Sequence, residues 1–231
     1  MAIDVKKSDF DNLSNLRRSS DEFSLITENS EYYLTSSHWE SLTNTSDVHG
    51  EATKLLEYIS AIAMIHFTDF PLLKPDTIYE VDEEGKRHGQ RALSATINVG
   101  SSCSGSIQLE GGQDIIPIFE FDSWRKLAEE DEIVKDAFRQ FREFDRNWIN
   151  LYKVYEIVNK DAGKKKIQQW TKDKIGYFKR TANSQKAIGD DECHGVDDND
   201  PPKEPMSLSE AKALIMTLLQ KWLLWKCEQQ K

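Results

Sequence analysis

Between residues 47 and 67 the apolar side chains Val48, Ala52, Leu55, Leu56, Ile59, Ile62, Ala63 and Ile65 recur three and four positions apart. That spacing puts them on one side of an α-helix. Asn44, Thr45, Ser46 and Asp47 stand before the run as N-cap residues, and Pro71 and Pro75 stand after it. A proline has no N–H to donate and clashes with the preceding turn, so the helix ends there. The apolar stripe is wide, so the helix is expected to be covered on more than one side and to sit centrally in the packing. The rest of the chain must supply that cover.

Most of the cover is helical. Asp122 or Ser123 caps a run through Ile133, Val134, Ala137, Phe138, Phe141 and Phe144, extended by Trp148, Leu151, Tyr152, Val154, Tyr155, Ile157 and Val158 to about Asn159. It reads as one very long helix or two with a bend, closed by Gly163. Helical spacing resumes over 164–178 through Ile167, Trp170, Ile175 and Phe178. Residues 181–205 contain Gly189, Gly195, Pro201, Pro202, Pro205 and several aspartates, and read as irregular. Ser207 and Glu210 then form the S-x-x-E capping box of a last helix, whose face is Leu208, Ala211, Leu214, Ile215, Leu218, Leu219, Trp222 and Leu223.

The first half differs. Residues 1–30 are polar with scattered apolar points, a short helix over 10–18, and otherwise loose expectations. Residues 31–42 read as a strand leading into a turn. Residues 77–81 alternate as a strand, 82–85 make a hairpin loop, and 86–100 return through Ala92, Leu93, Ala95, Ile97 and Val99. Residues 101–105 form a small-residue loop, with short strands expected at 106–109 and 115–119. The resulting fold class is α+β: a small N-terminal antiparallel β-sheet with one long helix, then a C-terminal α-helical bundle. The divisions are 1–30, 31–120 and 121–231.

Composition excludes some functions. A net charge of −10 makes the chain repel phosphate backbones on average, so any nucleic-acid contact needs a local basic patch. Cys103, Cys193 and Cys227 are far apart, odd in number and without a C-x-x-C, which argues against a disulfide framework or structural zinc. No signal-type apolar run opens the sequence, and no stretch reaches the roughly 18 apolar residues of a membrane span. A cytoplasmic protein without membrane contact is the expectation.

Catalytic residue types are sparse. His38, His49, His66, His88 and His194 form no HxH, HxxxH or HExxH pair, so no metal and no cofactor is expected. There is no GxGxxG, P-loop or GxSxG. Arg180, Asn183 and His194 remain. An imidazole exchanges protons near neutral pH and a guanidinium neutralises charge developing on phosphorus. Lys172, Lys174, Lys179 and the run Lys164-Lys165-Lys166 are suited to a phosphate backbone, and Trp170, Tyr177 and Phe178 to stacking on bases. The same residues also have ordinary uses. Arg180 suits a helix C-terminus, Asn183 a turn, the aromatics a core, and the lysines a solvated face.

A C-terminal helical bundle with Arg180, a polar companion and His194 ahead of the last helix resembles the HEPN superfamily. Thirteen residues separate Arg180 from His194 here, more than that family's motif has, and Thr181 stands where the polar companion usually follows. The resemblance implies catalysis by Arg180, Asn183 and His194 in a metal-independent endoribonuclease of a toxin or antiphage system. It also implies RNA as substrate, a homodimer and a protein regulator. The 178–211 pattern is similar to that of a widespread bacterial protein group. The alternatives are a non-catalytic acidic adaptor or regulator and a DNA-mimic inhibitor.

Overall fold

The computed structural model describes residues 1–3, 5–17, 23–29, 31–67, 70–82, 84, 86–91, 121–143, 147–189 and 202–230. The chain is α+β, with small antiparallel pairing at the N-terminal end and helices after it. Helix α1 (Lys7–Arg17) precedes β1 (Ser24–Glu28), which pairs antiparallel with β2 (Glu31–Thr35) in the register Ser24↔Thr35 to Glu28↔Glu31. The turn uses Asn29 at φ 51°, a left-handed conformation that asparagine tolerates. β3 (Thr77–Val81) pairs with β4 (Arg87–Arg91) from Thr77↔Arg91 to Val81↔Arg87.

Residues 2 and 3 join the two hairpins. Ala2 bridges to Tyr33 and Ile3 to Pro75, with the Ala2 N–H donating to the Thr77 carbonyl at 2.8 Å. Side chains reinforce the junction. Arg87 pairs with Glu28 and lies 4.1 Å over the Tyr33 ring, which meets Tyr79 edge-on at 5.9 Å. Gly89 lies across from Tyr79; a Cβ there would come within 3.0 Å of that ring.

The described residues among the first thirty are more ordered than their composition predicts. Phe10, Leu13 and Phe23 are buried in the core and β1 is a paired strand. β2 stops early because Ser36 accepts a hydrogen bond from the His38 N–H at 3.3 Å and starts a 3-10 turn over Ser37–Ser41. The strands expected at 106–109 and 115–119, the loop at 101–105 with Cys103, and the return beyond residue 91 lie outside the described residues.

Helix α2 (Thr45–His66) is the predicted central helix, with Asn44 as its N-cap and nine buried residues. The expected long helix from 122 is three helices: α3 (Phe121–Glu130), α4 (Glu132–Arg142) and α5 (Trp148–Ala162). Asp131 breaks the first junction by accepting from the Ile133 and Val134 N–H groups at the start of α4. Asn147 caps α5 through the Asn150 N–H at 2.9 Å. The expected 164–178 helix is likewise split into α6 (Lys164–Thr171) and α7 (Ile175–Ala182) by Lys172 and Asp173, both left-handed at φ 48° and 63°. A short α8 (Gln185–Ile188) follows, and α9 (Leu208–Gln229) ends the chain behind the predicted Ser207–Glu210 capping box.

α9 buries Ala211, Leu214, Ile215, Met216, Leu218, Leu219, Trp222 and Leu223, and packs against α5, α6, α2 and α3. Its polar groups reach the surrounding helices. Gln220 donates to the Ile65 carbonyl at 3.0 Å, and the Trp222 indole to Asp161 at 2.7 Å. Lys226 donates to Asp131 at 2.7 Å and Asp161 at 3.1 Å. Burial pulls the Lys226 pKa down, but these two carboxylates outweigh it and hold the ammonium above its ordinary value. No helix among the described residues is long and apolar enough to cross a membrane.

Two stability predictions follow from this packing. Lys226→Ala leaves Asp131 and Asp161 facing each other without their cation. We expect a loss of about 2–3 kcal/mol in urea unfolding, below the fully buried case because Asp131 keeps 25% of its side-chain surface exposed. His66 stacks on Trp124 at 5.3 Å, and burial holds its pKa below the ordinary 6.5. The unfolded chain therefore takes up a proton that the folded chain resists, and stability falls as pH drops below about 6.5. His66→Phe flattens that part of the stability–pH curve, while an unchanged curve would remove His66 as its source.

A candidate anion-binding cleft

Three consecutive helices enclose the candidate site. Gly163, at φ 82°, reverses the chain between α5 and α6, and the Lys172–Asp173 pair turns it again into α7. On α7 the buried side is Ile175, Phe178 and Ala182. Phe178 is fully buried among Trp148, Tyr152 and Tyr155, with ring centroids 5.9, 6.1 and 6.2 Å away. With that side fixed, Lys179, Arg180 and Asn183 line a cleft of about 450 Å³. α5 contributes Tyr155 and Asn159, one turn apart, and α6 contributes Lys164, Ile167 and Gln168.

The cleft is cationic at its rim. Ten of the chain's thirty lysines and arginines fall in residues 153–186 with three of its forty carboxylates, so this stretch carries +7 in a chain of −10. Among the described residues Lys164, Lys179 and Arg180 form no ion pair, although Asp173 lines the same cleft. Lys179 lies 5.6 Å from the Tyr155 ring centroid and Arg180 lies 5.3 Å from that of Tyr177. Burial, then the Glu156 charge, pushes the Tyr155 phenol pKa up, which keeps it neutral.

Charges on the other helices are arranged differently. Glu51 pairs with Lys54, Arg125 with Glu129, Glu132 with Lys135, Asp136 with Arg139, and Glu57 with Arg142. These are short-range surface pairs that largely cancel one another.

Two asparagines are among the lining residues as well. The Oδ1 atoms of Asn159 and Asn183 are buried and have no hydrogen-bond partner. The Asn183 Nδ2 donates to the Tyr152 hydroxyl at 3.3 Å. A buried acceptor without a donor costs about 1–3 kcal/mol, so each is a local expense in the fold.

The sequence-derived candidates divide. Arg180, Asn183 and Lys179 come together in the cleft with Lys164. Lys172 and Lys174 are exposed in the turn between α6 and α7. Lys174 faces Glu210, whose pKa is lowered first by its hydrogen bonds from Ser207 and last by that lysine. Trp170 is half-buried against Trp225 at 6.0 Å, and Tyr177 is 38% exposed beside the cleft rather than in it. His194 lies outside the described residues. Tyr155, Asn159 and Gln168 were not singled out from the sequence. The sequence offered no distinct signal for them, since Asn159 stands among residues of similar helix propensity and Asn150 lies in the same helix. Among the described residues no three of His, Cys, Asp and Glu converge in the manner of a metal site.

Thr181 has another task. It is fully buried, donates to the Tyr177 carbonyl at 3.1 Å, and accepts from the Met206 N–H at 3.1 Å, tying the approach to α9 onto α7. Comparison of the chain with models of protein families, with curated proteins and with solved structures gave no significant match. Thr181→Val leaves the Met206 N–H without its acceptor, and we expect thermal and urea unfolding to report a loss of about 1–2 kcal/mol. An unchanged midpoint would show that the tie contributes nothing.

Proposed function

We propose that the α5–α6–α7 cleft holds the phosphodiester backbone of single-stranded RNA, and that the chain is a metal-independent endoribonuclease of the HEPN-like kind. A place in a bacterial toxin or antiphage system, pairing into a homodimer and control by a protein regulator belong to the same proposal. The observation that carries it is the convergence of Lys164, Lys179 and Arg180, none of them ion-paired among the described residues, on one cleft of a strongly acidic chain. Cations without carboxylate partners are available to an external anion, and polyphosphate chains are the anions that use several at once.

In this reading Arg180 and Lys179 hold the non-bridging oxygens and offset the charge that builds on phosphorus. The ribose 2′-oxygen attacks that phosphorus, a 2′,3′-cyclic phosphate forms, and the 5′-oxygen leaves. One proton departs the 2′-hydroxyl and one is delivered to the leaving oxygen. The proton carrier assigned from the sequence is His194.

The alternatives fare differently. A DNA mimic needs an unbroken row of carboxylates, whereas those on α2, α3 and α4 alternate with lysines and arginines. No comparable observation favours an acidic protein-binding adaptor.

The test is cleavage of single-stranded RNA in EDTA. Wild type is expected to release cyclic-phosphate ends, and Arg180→Ala and His194→Ala each to slow this by about 100-fold or more. Binding to RNA should weaken with salt at a slope of about −2 in log–log form for three contacting cations, and less steeply in Lys179→Ala. Equal cleavage by wild type and His194→Ala ends the catalytic assignment. Absence of both binding and cleavage returns the chain to the adaptor reading.

A further inference from the structure

We infer that the α5–α6–α7 cleft takes a terminal phosphomonoester, the phosphate at one end of an RNA strand, in preference to the internal phosphodiester; the inference rests on the RNA reading above. It comes from the balance of charge on the lining residues. Lys164 on α6, Lys179 and Arg180 on α7 and Asp173 in the turn between them are the lining residues with full charges. Three cations less one carboxylate leave the lining at +2. Lys164, Arg180 and Asp173 are exposed and Lys179 is half-buried, so all four are within reach of a ligand from solution. Among the described residues none of the four forms an ion pair.

An internal phosphodiester carries one negative charge and leaves this lining with an excess of one cation. A phosphomonoester has a second ionisation near about pH 6 and carries about two charges at pH 7, which brings the lining to neutrality. It also offers a third terminal oxygen to the guanidinium and ammonium donors. Size works in the same direction. A cleft of about 450 Å³ lies in the range of small-ligand pockets, so it holds one nucleotide-sized group and not a run of consecutive phosphates. One phosphate must therefore meet the whole charge. The surrounding basic stretch, +7 over residues 153–186, attracts every anion and favours the doubly charged one further. Cleavage of a diester is compatible with this balance, because charge that builds on phosphorus brings the reacting group toward the same value.

The experiment uses internally labelled eight-nucleotide oligo(A) with 2′-O-methyl sugars, which cannot be cleaved. It carries a 5′-phosphate, a 3′-phosphate or hydroxyls at both ends. Each oligomer is titrated with the full chain in EDTA at pH 7.5 and pH 5 and followed by anisotropy. At pH 7.5 at least one phosphorylated oligomer is expected to bind about tenfold more tightly than the hydroxyl-ended one, and the end that gains identifies which phosphate is read. At pH 5 most of that gain is lost as the second phosphate charge is protonated. The hydroxyl-ended oligomer, whose diesters keep one charge each, reports any titration of the protein itself. Lys179→Gln and Arg180→Gln should each cut the gain to less than about threefold. Asp173→Asn, which suits the left-handed turn at φ 63°, should instead tighten the phosphorylated oligomer and so controls for misfolding. Equal affinity with and without a terminal phosphate, a gain that persists at pH 5, or a gain that survives both Lys179→Gln and Arg180→Gln overturns end recognition alone. Failure of every oligomer to bind overturns the RNA reading and this inference with it.

Discussion

Helix α9 buries a broad arc of its surface and leaves to water a stripe that carries Glu210, Thr217, Lys221 and Glu228, and the rest of the helical part is arranged around that arc. Eight of its 22 residues are buried, over an arc that runs from Leu214 through Leu218 and Trp222 to Met216. A helix apolar over so broad an arc is stable only when neighbours cover it. α2, α3, α5 and α6 do so, and one contiguous set of buried residues runs from Phe10 to Leu223. Its few polar groups set the register. Gln220 meets the end of α2, while Lys226 and Trp222 meet Asp131 and Asp161 at the start of α4 and the end of α5. Buried polar contacts of this kind add little net energy but penalise any slippage, since a shifted lysine would leave two carboxylates unpaired. The inner sides of α5 and α6 are thus committed to α9, and their other residues, with α7, wall a cleft that inherits a rigid backing.

Some local costs fall around that cleft. Lys172 and Asp173 adopt consecutive left-handed conformations, each worth about 1 kcal/mol of strain for a residue with a Cβ. Asn159 and Asn183 keep buried acceptors unsatisfied. Elsewhere among the helices, side-chain caps at Asn44, Asp131, Asn147 and Ser207 satisfy first turns, while His49, Asp122 and Trp124 each keep a buried polar atom without a partner.

How much of this was legible in the residues depended on the range of the forces involved. α2 and α9 were readable almost to the residue, because periodicity and capping are local signals. Gly163 was readable as the end of α5 for the same reason. The breaks at Asp131 and at Lys172–Asp173 were hidden, because the apolar spacing continues across both and neither carries a proline or glycine. β1 was hidden because its pairing with β2 depends on a partner strand and not on its own composition. Arg180, Lys179 and Asn183 were found from the chemistry of their side chains. Asn159 and Tyr155 were missed because only the folding of α5 against α7 brings them to those residues.

The segregation of charge has a consequence for encounters in solution. Residues 153–186 carry +7 in a chain of −10, so an anion that meets α6 and α7 meets a local charge opposite in sign to the chain's average. That attraction acts over about 10 Å at 0.1 M salt and lengthens as ionic strength falls.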